Sequence, residues 1–404
     1  MGGCSDEVRS SNVGNVNKYN YFSSEDIPCW DVSPYTFTYD PKRNIFAKRA
    51  NALRKRYRHG AVTIGGNIWV LGGLDSNKEW VKEVDMYDPG TDRWLYIGDL
   101  PTEFKVSDFA IYAAANGEHI FVMGGYNDAQ MEGGGVVSSS MAYKLNVQQT
   151  LDRYHQDPSS TQKQQILVLS KISNLNDKRA SINAVSFSHY IYVAGGYTTI
   201  TTTDNSRCKQ PLDTVERYDM TNDTWRYVAM LNTAKANVGL IRYGDVFVAV
   251  GGDTAAPTPS SSASCLGGID IRAVNNMEIY SPLDGLRATW TNIPISPMDG
   301  RMHYVVFPWK ETESILIFGG IIKGPEGCNC YFSSDKVLVY SSLDEKVMHY
   351  KDSHWFVIFS SLTIVIFISL TVTLLRHRRC KKHNRSADDT SETMGIVMAT
   401  HDVT

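Results

Sequence analysis

Cysteine is scarce in this 404-residue chain: seven residues, at positions 4, 29, 208, 265, 328, 330 and 380, with no C-x-x-C pair among them. That excludes a disulfide-built scaffold and a cysteine-ligated zinc site. An excess of positive charge is also missing, because 40 Lys and Arg stand against 43 Asp and Glu for a net charge of -3. No global field gathers phosphates, so nucleic acid is not expected as a partner. The chain has no Ser-His-Asp order, no phosphate-cradling glycine loop and no His-x-x-x-His pair. Catalytic residues, metal ligands and cofactors are therefore not expected. The first twenty residues, MGGCSDEVRSSNVGNVNKYN, contain no apolar run long enough for a secretory leader.

One long hydrophobic run is present. WFVIFSSLTIVIFISLTVTLL, Trp355 to Leu375, is uncharged and begins with an aromatic residue suited to a membrane interface. At about 1.5 Å per residue it crosses a hydrocarbon core of about 30 Å, so one transmembrane helix is expected. Arg376, Arg378, Arg379, Lys381, Lys382 and Arg385 follow it. This basic excess places the C-terminal side in the cytoplasm and the preceding residues outside or in a lumen. That topology conflicts with the illegible leader, so either the N-terminus is incomplete or the charge rule fails here. The rival is a tail-anchored chain with everything before residue 355 in the cytosol. The expected organisation is a disordered 1–16, a β domain over 17–350, the span at 355–375, and a basic-then-acidic cytoplasmic tail over 376–404.

The β domain is legible through its internal repeats. Apolar runs close in a glycine pair five times: IWVLGG, IFVMGG, IYVAGG, VFVAVGG and ILIFGG, whose first glycines are Gly72, Gly124, Gly195, Gly251 and Gly319. Each run is short, β-branched or aromatic, and stopped by glycine, which is the pattern of a strand buried on both faces. Downstream come VDMYDPGTDRW, VERYDMTNDTW and MEIYSPLDGLRATW, each carrying a Tyr and then a Trp across a turn. These are hairpins whose rings plug the space between sheets. Upstream, Arg58-His59-Gly60, Arg179-Ala180-Ser181 and Arg301-Met302-His303 open a further strand, for four strands per unit.

With these elements the chain resembles the kelch repeat family over roughly residues 35 to 345. The resemblance implies an all-β fold, a kelch-type β-propeller with one four-stranded blade per repeat. The glycine pairs would then lie where backbone passes close to a central channel. Repeat two lacks its Trp and carries a polar insert around Asn146 to Gln165, and repeat five keeps Tyr340 without a Trp. Before repeat one, Tyr39-Asp40-Pro41 with Phe46 looks like the outer hairpin of another blade, so six blades are expected, closed by the segment from about Asn17.

Function is expected in the connections that follow the glycine pairs, 126–140, 197–213, 253–274 and 321–335. Each leaves the same strand of its blade, so all emerge on one face. Candidate contacts on that face are Tyr126, Tyr197, Arg207, Lys209, Arg272, Lys323 and Tyr331. Cys208, Cys265, Cys328 and Cys330 fall in the same loops and Cys29 precedes the N-terminal hairpin, so an inter-loop disulfide is expected if the domain is outside the cytosol. Asn222-Asp223-Thr224 is a glycan acceptor sequon in a turn. The expected function is a non-catalytic, membrane-anchored receptor or adhesion head that binds protein or glycan. A cytosol-facing adaptor anchored by its tail is the alternative. A third reading is an enzyme resembling galactose oxidase, for which His59, His303, Tyr57 and Tyr304 would have to converge with a Tyr-linked Cys, and no Cys lies in a blade strand to supply the crosslink.

Overall fold

The computed structural model describes residues 32–127, 137–156, 166–201, 207–256, 270–293, 301–323, 331–334 and 336–340. An N-terminal hairpin, β1 (Thr36–Asp40) and β2 (Ile45–Arg49), precedes blade one, which is β3 (Gly60–Ile64), β4 (Asn67–Leu71), β5 (Glu83–Asp88) and β6 (Arg93–Asp99). Blade two is β7 (Ala110–Ala113), β8 (His119–Met123), β11 (Ala142–Asn146) and β12 (Leu169–Ile172), with a small hairpin β9 (Tyr126–Asn127) and β10 (Val137–Ser138) after β8. A helix, α1 (Val147–Gln156), fills its connection between β11 and β12.

Blade three is β13 (Asn183–Phe187), β14 (Tyr190–Ala194), β17 (Val215–Asp219) and β18 (Thr224–Tyr227), interrupted by hairpin β15 (Tyr197–Thr201) and β16 (Arg207–Pro211). Blade four is β19 (Gly239–Tyr243), β20 (Val246–Val250), β23 (Met277–Tyr280) and β24 (Thr291–Ile293), interrupted by β21 (Asp253–Ala256) and β22 (Asp270–Ala273). Blade five joins β26 (Val305–Trp309), β27 (Ser314–Phe318) and β30 (Val337–Tyr340), while β25 (Arg301–Met302) pairs with the hairpin of β28 (Ile321–Lys323) and β29 (Tyr331–Ser333). All strand pairs are antiparallel, as in Gly60↔Leu71 and Tyr218↔Trp225.

The core is a set of layers between blades. The second strand of each sheet is covered on both faces: Ile68, Trp69, Val70 and Leu71 are at most 3% exposed, and Val246 to Val250 are sealed completely. Apolar clusters join blade one to two, two to three, three to four, and four to five. Consecutive first strands lie against one another, β3 on β7, β7 on β13, β13 on β19 and β19 on β26, so the first strands are innermost and surround an axis.

Tyrosine and tryptophan fasten one blade to the next. The ring pairs Tyr87–Trp94, Tyr218–Trp225 and Tyr280–Trp290 have centroids 5.0, 5.0 and 5.1 Å apart. Each indole N–H donates to a carbonyl just beyond the outer strand of the preceding unit, Trp94 to Ala50, Trp225 to Ser173 and Trp290 to Ala229. Because Ala50 follows β2, the N-terminal hairpin receives blade one as a preceding blade's outer half would. On its other side Tyr39 packs edge-on against Phe318 of blade five at 5.2 Å, and Lys42 pairs with Glu311 at 2.8 Å. The expected inner strands of a sixth blade, from about Asn17 to residue 31, lie outside the described residues.

Blade two, which has no Trp, completes four strands. It puts Phe104 edge-on to Tyr143 at 4.7 Å and buries Val147 and Thr150 of α1. Among the described residues no helix is long and apolar enough to cross a membrane. The expected span at 355–375, the tail and the N-terminal 1–16 lie outside them.

Candidate functional site

The glycine pairs mark where neighbouring blades meet most tightly. A Cβ on Gly195 (φ 63°) would stand 2.2 Å from the carbonyl oxygen of Lys235 in the next blade. A Cβ on Gly196 (φ 100°) would stand 2.7 Å from that of Ala180. Positive φ and missing side-chain volume are both required, so only glycine fits. The obstruction is adjoining backbone. Gly196 N–H donates to that same Lys235 carbonyl at 2.9 Å, as Gly125 does to Arg179 and Gly73 to Val106.

Lys235, Arg179 and Val106 hold equivalent places four residues before a first strand, as do Arg56 and Arg301. In three blades the cation there reaches an acid in the third strand. Arg56 bonds Asp85 at 2.7 Å, Arg179 bonds Glu216 at 2.8 Å and Lys235 bonds Glu278 at 2.8 Å. The last two pairs are wholly buried. Arg179 also donates to the Gly195 and Thr214 carbonyls, and Arg301 to those of Gly319 and Lys336, so each guanidinium ties the second strand to the third. Glu216 accepts in addition from the backbone N–H groups of Asn176 and Asp177. Burial opposes ionisation here, lowering the pKa of Arg56 and Lys235 and raising that of Asp85. Blade two replaces both partners together, with Val106 for the cation and Tyr143, which pairs with Val122 as Glu216 pairs with Val193, for the acid, and both line a small apolar pocket.

These clamps correct the register read from sequence. Arg179 and Arg301 correspond to Arg56, two residues before Arg58, and Arg58 corresponds to Ser181 and His303. The signal was available as an acid two residues before each Tyr: Asp85 before Tyr87, Glu216 before Tyr218 and Glu278 before Tyr280.

Two residues past each clamp position lies a second ring. Arg58, Asp108, Ser181, Asn237 and His303 all have φ between 49° and 57°. Asp108 N–H donates to the Arg58 carbonyl, Ser181 to Asp108 and Asn237 to Ser181, at 3.1, 2.7 and 2.8 Å. This backbone chain runs from blade to blade at the axial mouth, just before the innermost strands begin. Its side chains are polar and charged: Arg58 stands 3.6 Å from Asp108, and Ser107 donates to the same Asp108 carboxylate.

Four hairpins rise around this mouth, β9–β10, β15–β16, β21–β22 and β28–β29, each beginning immediately after its glycine pair. They form a crown in which the hairpins of blades two, three and four are tied sideways. Ser138 and Thr199 exchange hydrogen bonds between the hairpins of blades two and three, each backbone N–H donating to the other's hydroxyl at 3.0 and 2.8 Å. The Lys209 ammonium lies 4.9 Å from the Tyr126 ring and 5.8 Å from that of Tyr197. The Tyr197 hydroxyl donates to Asp253 at 2.6 Å and Asn237 donates to its other oxygen at 2.7 Å, which carries the tie to blade four and down to the axial ring. Burial and the Asp253 charge push the Tyr197 hydroxyl far above the ordinary tyrosine range. Over blade one there is only a short turn, in which Leu74 bridges Tyr57 and Trp80 and Asp75 accepts from Asn77 and Glu79. The crown is therefore open on that side.

Of the candidate contacts, Tyr126, Tyr197 and Lys209 come together at the junction of two hairpins. Tyr126 and Tyr197 are buried, so they hold the crown and do not offer their rings to a ligand. Arg272 is exposed on β22; Arg207 lies on β16, Lys323 on β28 and Tyr331 on β29. Cys208 lies on β16 opposite Ile200, while Cys29, Cys265, Cys328 and Cys330 lie outside the described residues. Asn222 is exposed in the β17–β18 turn, its amide donating to Asp219 at 2.8 Å. Among the described residues no cluster of three His, Cys, Asp or Glu could hold a metal. Tyr304, considered for an oxidase, donates its hydroxyl to the Val250 carbonyl at 2.7 Å.

A family model described as Kelch motif matches residues 55–101 and 178–231. Kelch-like protein 25 of Xenopus tropicalis is 26% identical over 191 residues, 47% of this chain and 26% of that protein. Kelch-like protein 38 of Homo sapiens is 42% identical over 77 residues, 17% of this chain and 13% of that protein. Kelch repeat protein M-T8 of Myxoma virus (strain Lausanne) is 26% identical over 223 residues, 54% of this chain and 36% of that protein. The matched stretches thus cover well under two thirds of these relatives. The solved structure of YjhT superposes with a TM-score of 0.51 at 16% identity, over 76% of this chain and 97% of that one, a likeness of fold alone. Together the motif match and the relatives support a kelch-repeat family for the chain.

Proposed function

We propose that this chain, with kelch-motif repeats folded into a five-bladed propeller, is a non-catalytic protein-binding module that engages its partner through the crown and is held at a membrane by residues 355–375. The crown carries the reading: of its four hairpins on a rigid frame, those of blades two, three and four are tied together by Ser138, Thr199, Lys209, Tyr197 and Asp253. Preorganised loops of this kind bind without first losing conformational freedom. A glycan is the weaker ligand, because the rings of Tyr126 and Tyr197 are covered and offer no face for a sugar to stack on.

The strand directions favour a crown that faces away from the bilayer. β27 ends in the glycine pair on the crown side, so its antiparallel partner β30 runs from the crown to the opposite rim. β30 ends there at Tyr340, ahead of the hydrophobic run in sequence. The basic cluster after that run supports an outside or lumenal propeller with a cytoplasmic tail; an adaptor facing the cytosol is the alternative.

Two measurements test this. Lys209→Glu with Arg272→Glu is expected to abolish cross-linking of the partner captured by the wild-type chain at equal thermal stability, while Tyr227→Ser on the outer edge of blade three leaves capture intact; the reverse pattern would move the site to the rim. Protease treatment of sealed membranes is expected to remove only a C-terminal tag, and Asn222→Gln to abolish a glycosidase-sensitive mobility shift; a protected tag would establish the cytosol-facing alternative.

A further inference from the structure

Blade two keeps the seat of a clamp cation and lacks the cation. In blades one, three and five an arginine donates to the carbonyl of the first glycine of the pair and to a second carbonyl where the third strand begins. Arg56 reaches Gly72 and Glu83 at 3.3 and 3.0 Å, Arg179 reaches Gly195 and Thr214 at 2.8 and 2.9 Å, and Arg301 reaches Gly319 and Lys336 at 2.7 and 3.3 Å. Gly124 and Met141 hold the same two carbonyls in blade two, and Gly124 N–H donates to Met141 at 2.8 Å as Gly195 does to Thr214 at 3.1 Å. Val106 stands where the arginine would and has no donor to offer them. What remains is a pocket of about 250 Å³, its open mouth included, lined by Phe104, Val106, Gly124, Asn127, Met141 and Tyr143 among others. Asn127 belongs to β9 of the crown and Phe104 to the connection leaving blade one, so the pocket borders the open sector of the crown.

We infer that this pocket binds an arginine side chain presented by the partner: the guanidinium enters the seat beside Val106, donates to the Gly124 carbonyl and the Asn127 side-chain oxygen, and lies against the Tyr143 ring. This rests on the crown being the binding surface and names what the partner presents there. The Asn127 oxygen is sealed and accepts no hydrogen bond among the described residues, a cost that an entering N–H removes. Asn127 as a residue is only half-buried, so its amide can turn to meet the donor. Phe104 and Tyr143 wall the pocket with rings set edge-on at 4.7 Å, and a guanidinium plane stacks on such a ring. Tyr143 holds the place of the acid, so recognition relies on acceptors and the ring, with the mouth leaving the cation partly hydrated. Glu103 and Lys105 flank Phe104 on the same connection and offset each other. A lysine fits less well, because its ammonium is compact, strongly hydrated and has no plane to stack.

N-acetyl-arginine amide is the probe, titrated against the detergent-solubilised full chain and read by saturation-transfer NMR. Val106→Arg with Tyr143→Glu rebuilds the clamp of blade three and fills the seat from within, so the affinity of the probe is expected to fall at least about tenfold. N-acetyl-citrulline amide keeps the shape of the probe but loses the charge and turns one donor into an acceptor; it is expected to bind the wild-type chain at least about tenfold more weakly. Equal binding of the arginine probe to both proteins, equal binding of the two probes, or no binding of the arginine probe would overturn the inference. Should the double variant not fold, Asn127→Leu decides: loss of the side-chain acceptor is expected to weaken the probe about fivefold, and unchanged affinity would overturn the inference. The probe needs no partner, whereas Lys209→Glu with Arg272→Glu is read by partner capture, so failure of the seat and failure of the crown are told apart.

Discussion

Replacing Arg179 and Glu216 singly and together measures how the repeats are held. The pair is sealed from solvent, and Arg179 also satisfies the carbonyls of Gly195 and Thr214. Arg179→Val leaves Glu216 charged in a dry interior, for which a cost of about 3–5 kcal/mol is expected. Glu216→Met leaves the guanidinium its other carboxylate, Asp177 at 2.9 Å, so the lost charged bond costs about 2–3 kcal/mol, plus about 1 kcal/mol for each N–H of Asn176 and Asp177 left without its acceptor. The double variant leaves no buried charge, as at the corresponding place in blade two, where Val106 and Tyr143 stand. Its loss should therefore fall short of the sum of the singles by about 2–4 kcal/mol. At roughly 2 °C per kcal/mol for a domain of this size, each single lowers the melting temperature by about 6–10 °C and the double by little more than one single. Thermal unfolding of the four proteins, followed by circular dichroism, gives the cycle. Additive losses would refute the reasoning, because they would mean that the ions contribute independently and not as a clamp.

Gly195→Ala should destabilise by at least ~2 kcal/mol, about 1 for the positive φ and the rest from pushing Lys235 away, whereas Gly244→Ala (φ 58°, no heavy atom within 4 Å of the added Cβ) should cost only about 1. Equal losses in chemical denaturation would show that blade proximity is not what the pair serves. Trp225→Phe keeps the ring contact with Tyr218 but loses the N–H bond to Ser173 at 2.8 Å, an expected cost of about 1 kcal/mol. No change in the denaturation midpoint would dismiss that bond as an inter-blade tie.

Local signals announced the blades. A buried second strand must be apolar along its length, its end must be glycine where backbone crowds it, and a Tyr and a Trp across one turn must meet, since these demands are met within a few residues of chain. The Tyr, Asp and Trp of VERYDMTNDTW thus sufficed for the outer hairpin of blade three, where Tyr218 donates to Asp223 and stacks on Trp225. Blade two was harder to read because its register sets Leu145 opposite Leu169 where blade three sets Tyr218 opposite Trp225.

The clamps were visible as single letters yet misaligned by two residues, because Arg58 next to a strand looks like Arg179 until the second strand's carbonyls show which guanidinium they receive. The crown was legible only as a set of loops on a common face. That Tyr126 and Tyr197 are buried ties, and that Arg58, Asp108, Ser181 and Asn237 join in one backbone hydrogen-bond chain, follows from the packing of successive blades, which brings together residues as distant as Arg58 and Asn237. Sequence determined the repeating unit because strand burial, turns and glycine requirements are local. Only the tertiary structure decided which side chains face the axis, since that depends on the angle at which one blade packs against the next.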